Sequence, residues 1–133
     1  MILLVVSAGG VVGALARYFL GLLVGTSTAA AAWSTVIVNL SGCLLIGLVL
    51  GFDGANRRPY LRPFLAVGVL GGYTTFSSYA MDAQRLLADG RLLAASLYLI
   101  GTLLGALVAV WAGLRLTGGS RNAALDSGAG EPR

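Results

Sequence analysis

The chain has 133 residues, 57% of them hydrophobic and only 11% charged, with a formal net charge of +4 and a mean hydropathy of +0.87. Soluble domains carry about 25% charged residues, so a water-clad globular surface is excluded and the chain belongs in a lipid bilayer. All nine basic residues are arginines without a cluster, histidine is absent and Cys43 is the lone cysteine, which excludes nucleic-acid binding, a disulfide framework and a His/Cys metal set.

A membrane-spanning helix needs about 20 mostly apolar residues, and residues 2–24, 33–52, 63–81 and 92–114 each meet that condition. The first window is broken only by Arg17. Its start, "MILLVVSAGGVVGALA", has the small-x-small ending of a signal peptide, but it lacks a basic leader and the apolar pattern resumes after Arg17. The segment is therefore read as a retained span. Two accounts fit Arg17: a long stem snorkelling to the lipid interface, or a guanidinium concentrating anions at the mouth of a pathway.

The second window carries Asn39 near its middle, with Thr35 four residues before it and Cys43 four after, on the same helical face. An amide in hydrocarbon must face protein or water, either as a hydrogen bond between helices or as part of a polar pathway. The third window holds "GVLGGYTTFSSY". Gly71 and Gly72 favour a break, and Thr74, Thr75 and Ser77 are cap-forming residues. Together they predict two half-helices meeting near mid-membrane, with freed carbonyls lining a cavity, packed in protein or holding an ion. A simple packing kink is the alternative. Phe76 and Tyr79, three apart, project to neighbouring positions, and aromatic ring edges are electropositive. In the fourth window Tyr98 and Thr102 make a second column of hydroxyls.

All five acidic residues lie outside these windows. The polar, Gly-rich end predicts a disordered tail over residues 117–133 behind a single transmembrane domain of residues 1–116. Glycines four apart recur at Gly9/Gly13, Gly21/Gly25, Gly47/Gly51 and Gly101/Gly105, smooth stripes that let helix backbones approach closely. Arginine placement gives only a slight orientation bias, compatible with insertion both ways round. Four thin helices do not easily enclose a pore, so a dimer is expected.

"GGVVGALARY" in the first window, Asn39 with "LSG" in the second and "GGYTTFSSY" in the third resemble the fluoride channels of the Fluc (CrcB) family, in order across all four windows. The resemblance implies an all-α integral membrane protein of the cell (inner or plasma) membrane. It implies four transmembrane helices, the third broken at its centre, and an antiparallel dual-topology dimer. It also implies passive export of fluoride and a structural sodium ion held by main-chain carbonyls, at positions matching Gly71 and Thr74. The matching pathway positions are Asn39, Phe76 and Tyr79, with a polar track over Thr75, Ser77, Tyr98 and Thr102, and Arg17 at the vestibule. Two departures stand out: Tyr79 where the family has a second phenylalanine, and Ala106 where a serine is often found. A homodimer is the first expectation, and a heterodimer with a paralogous chain the alternative.

Three other classes make distinct demands. An enzyme needs a base, a nucleophile pair or metal ligands in the spans, and a proton-coupled exporter of small cations needs a carboxylate there. A purely structural subunit predicts no flux. A fluoride pathway needs donors such as the Asn39 amide and the Thr, Ser and Tyr hydroxyls.

Overall fold

The computed structural model describes residues 1–24, 28–52 and 58–128. Among them the chain is helical throughout its regular structure: α1 (Ile2–Val24), α2 (Thr28–Gly51), α3 (Pro63–Val69), α4 (Leu70–Tyr73), α5 (Phe76–Ala88) and α6 (Leu92–Gly128). Three stretches, Ile2–Val24, Ala31–Gly51 and Leu92–Gly118, are long and apolar enough to cross a membrane. This is a multi-pass membrane protein. Large apolar side chains such as Leu3, Leu23 and Leu93 stand more than 70% exposed, as suits helices whose outer solvent is hydrocarbon rather than water.

Backbone proximity, more than a large side-chain core, organises the packing. α2 lies most extensively on α6, α1 on α3 and α4, and α5 on α6. At the α2–α6 crossing a Cβ added to Gly47 would run into the Val110 main-chain oxygen and come within 3.0 Å of the Gly113 Cα. At the α1–α3 crossing Gly9 and Gly68 approach in the same way, a Cβ on Gly9 meeting the Gly68 Cα at 3.0 Å. Two of the four expected glycine pairs, Gly9/Gly13 and Gly47/Gly51, therefore serve close approach. Gly101 has open space, Gly105 meets only the Leu40 side chain, Gly21 barely touches Ser34 Oγ, and Gly25 lies outside the described residues.

The region read as a third span is not one helix. α3 is wound as a π-helix with Pro63 in its first turn, and its widened winding shows in the bond from Leu70 N–H back to Leu65 O. α4 follows for four residues, the chain extends at Thr74 (ψ 156°) and Thr75 (φ −144°, ψ 121°), and α5 begins. The expected break at Gly71–Gly72 thus falls three residues later, because both glycines are held inside α4.

α5 runs past the expected end at residue 81 to Ala88, so Asp82 and Arg85 are helical rather than part of a connection. The helix closes on Gly90 at φ +69°, with Gly90 N–H bonded to Leu87 O and Arg91 N–H to Leu86 O. This Schellman arrangement suits a glycine in the left-handed region. It reduces the link to α6 to Asp89, Gly90 and Arg91. α6 continues to Gly128, beyond the boundary expected at residue 116, and Arg115 rests over the Trp111 ring at 5.0 Å.

Candidate functional site

The interruption between α4 and α5 is built by side chains. Thr74 N–H and Thr74 Oγ1 both donate to Leu70 O at 2.9 Å, closing α4. Thr75 caps α5, its Oγ1 accepting from Ser78 N–H at 3.2 Å. Across the gap, Asn39 on α2 takes both main-chain groups of Thr75: its Nδ2 donates to Thr75 O at 3.0 Å and its Oδ1 accepts from Thr75 N–H at 2.8 Å. The amide thereby replaces the neighbour that an extended residue would find in a sheet. In an α-helix Gly71 O would accept from Thr75 N–H and Thr74 O from Ser78 N–H. Those N–H groups go instead to Asn39 and to Thr75 Oγ1, so the Gly71 and Thr74 carbonyls are released from helical pairing.

Beside the break lies a cavity of about 250 Å³, lined by residues that include Asn39, Cys43, Thr75, Phe76, Tyr79 and Thr102. Thr102 is 6% exposed, yet its Oγ1 has no hydrogen-bond partner among the described residues. Threonines and serines in helices ordinarily bond back to their own helix. Ser41, Thr74 and Thr117 all do, each to the carbonyl four residues earlier. The Thr102 hydroxyl thus stands apart as a buried donor without a protein partner among the described residues, an arrangement that costs about 1–3 kcal/mol when left unmade. Phe76 is 79% exposed, its ring centroid 5.8 Å from that of Tyr79. The Tyr79 hydroxyl donates to Leu99 O at 2.8 Å. The polar tip that distinguishes it from a phenylalanine is therefore fastened to α6.

Asp82 is only 5% exposed. It accepts from Thr35 Oγ1 at 2.8 Å, from Tyr98 Oη at 3.4 Å and from Arg85 Nη1 at 3.1 Å. The expectation that every carboxylate lies in a connection is corrected here. α5 carries Asp82 three residues past Tyr79, onto the face that meets α2 and α6, where Thr35 and Tyr98 donate to it alongside Arg85 of its own helix. Its spacing from Tyr79, and the presence of Thr35 on the Asn39 face, were the available signals.

Of the residues singled out in the sequence, Asn39, Thr75, Phe76, Tyr79 and Thr102 share the cavity, and Thr74 lies on its wall. Ser77 is adjacent, its Oγ 3.3 Å from Thr75 Oγ1. Tyr98 stands behind this group: its ring lies 5.5 Å from that of Tyr79 and its hydroxyl turns to Asp82. Gly71 is exposed on the open side of α4. Arg17 is half-buried away from the cavity, its Nε without a partner among the described residues.

A model of the CrcB-like, camphor-resistance (CrcB) protein family matches residues 4–114. The chain belongs to that family. Family relatives include a protein of Chlorobium phaeobacteroides (strain BS1) named fluoride-specific ion channel FluC, 40% identical over 86% of this chain and 91% of its own length. Another, FluC 2 of Nocardia farcinica (strain IFM 10152), is 43% identical over 90% of this chain and 85% of its own. FluC 1 of Streptomyces coelicolor (strain ATCC BAA-471 / A3(2) / M145) is 46% identical over 80% and 71%. The CrcB-like family is one of ion channels, not of enzymes.

Proposed function

We propose that this chain is the subunit of a passive, fluoride-selective channel that lets the cell export fluoride across its inner or plasma membrane. The observation that carries the reading is the cavity beside the helix break, with its buried, unpartnered Thr102 hydroxyl. The three relatives named as fluoride-specific ion channels give the ion. Fluoride is small and strongly hydrated, so a dry path must offer donors in place of water. Thr102 supplies one. The Asn39 amide nitrogen has two hydrogens, of which the clasp on Thr75 uses one. Phe76 and Tyr79 add electropositive ring edges, and Thr75 and Ser77 continue the hydroxyls. Tyr98 and Asp82 hold Tyr79 and α2 in place from behind. Arg17 raises the local anion concentration at one mouth.

In this reading the interrupted segment is a fourth crossing, and two copies meet in opposite orientations through its open side. Gly71 and Phe76 are exposed there in the single chain, and a Cβ on Gly71 would touch nothing within 4 Å. The released Gly71 and Thr74 carbonyls fit a sodium ion, a hard cation that takes neutral oxygen ligands at helix ends. Held only by these two main-chain oxygens, the ion would need the matching carbonyls of a second copy. The bound ion would contribute a fixed positive charge between the two breaks.

Reconstitution of this chain alone in liposomes, with fluoride efflux followed by electrode, tests the reading: fluoride passes down its own gradient and chloride does not. Equal passage of chloride overturns the selectivity. Silence of the chain alone favours a heterodimer, a second reading motivated by Tyr79 and Ala106. Asp82 motivates another, a proton-coupled exporter of small cations, since such a protein needs a buried carboxylate. Flux that requires a pH gradient would favour it.

A further inference from the structure

We propose that Cys43 forms part of the wall of the ion pathway and is a site at which a small thiol-reactive compound closes it. This rests on the fluoride-channel reading and extends it to a residue that reading leaves unused. Cys43 lies one helical turn beyond Asn39 on α2, is half-buried, and lines the same cavity as Thr75, Thr102 and Ala106. Independent of the cysteine, the Thr102 hydroxyl marks this cavity as a ligand site: it is buried, unpartnered among the described residues, and departs from the back-bonding of Ser41, Thr74 and Thr117. One turn past Thr102 the α6 wall offers only the methyl of Ala106. On the α2 side, the Cys43 S–H, a weak donor, continues the polar wall at the stage where α6 has become apolar.

A group attached to Cys43 sits on the wall of a cavity of about 250 Å³, where its bulk, or the charge of a larger reagent, stands in the route. The reaction needs no outside oxidant. The Cys43 thiolate attacks the sulfenyl sulfur of an alkyl methanethiosulfonate, a new S–S bond forms, the S–SO₂ bond breaks and methanesulfinate leaves with the electron pair. The thiol proton goes to buffer. Because the chain has a single cysteine, labelling is unambiguous.

The test uses the full chain in liposomes at alkaline pH, which favours the reactive thiolate, with labelling followed to completion. It compares methyl methanethiosulfonate with its anionic sulfonatoethyl analogue, reading label stoichiometry by intact mass and fluoride efflux by electrode. Full labelling should cut efflux about tenfold or more, at least as strongly for the anionic reagent, since added negative charge opposes an anion in a pore. Dithiothreitol should restore it, and Cys43→Ser should behave alike with and without reagent. Complete labelling with efflux unchanged overturns the inference. So does failure to label folded protein under conditions that label the denatured chain. Unlabelled protein that passes no fluoride counts instead against the homodimeric form of the reading beneath it.

Discussion

Along the interrupted segment, the face turned to α1 is finished and the opposite face is open. On the α1 side Gly68 and Gly72 abut Gly9 and Gly10, so close that a Cβ on Gly72 would strike the Gly10 main-chain oxygen. On the other side Gly71 has nothing near it and Phe76 is 79% exposed. Adjacent glycines in one short helix thus have opposite duties. Gly72 completes the fold of one chain, whereas Gly71 has no duty the single chain can explain. A closed face can be tested through stability, an open one only through what docks on it.

The largest expected effect belongs to Asn39→Asp, at the break between the two faces. It removes the donor to Thr75 O and sets a carboxylate against that carbonyl, at about 3 kcal/mol for a buried, unmatched charged acceptor. Fluoride efflux should collapse while the detergent-solubilised protein melts earlier, and unchanged efflux would remove Asn39 from the pathway. Next comes Gly72→Val, which forces α1 and α4 apart at about 1–3 kcal/mol, visible as a lower melting temperature and poor recovery of folded protein. Thr75→Val keeps the branched shape but loses the cap on α5, about 1 kcal/mol, and should depress efflux along with stability. Tyr79→Phe deletes only the bond to Leu99 O, about 1 kcal/mol or less. Because that hydroxyl is already committed to α6, efflux should stay within about twofold. The smallest effect on the chain's own stability belongs to Gly71→Ala, within about 0.5 kcal/mol for a site free of contacts. It sharpens the comparison: a larger drop in dimer melting would come from a second copy docked on that side, and wild-type dimer melting should fall when a bulky organic cation replaces sodium. If wild-type melting ignores that exchange, the carbonyls of Gly71 and Thr74 do not hold the ion.

The long helices were legible because a bilayer imposes a length and a polarity that composition alone meets. The polar face of α2 was also legible, since Thr35, Asn39 and Cys43 repeat at one turn. The position of the break was not. Gly71 and Gly72 are weak helix formers, but Thr74 N–H still closes onto Leu70 O, and the backbone opens only where Asn39, 36 residues away in sequence, offers a better partner. Asp82 escaped for a related reason. An apolar window stops at the first charge, while the fate of that charge is decided by Thr35 and Tyr98 on other helices.

The clasp of Asn39 on Thr75 also dictates an order of assembly. Until α2 lies alongside, the N–H and C=O of Thr75 have no mate, and in hydrocarbon such groups are driven to pair within their own segment. Before docking, the newly inserted segment is therefore expected to run on as ordinary helix through Thr74 and Thr75, and to snap open only when α2 arrives. The bend then follows the docking of α2 rather than preceding it.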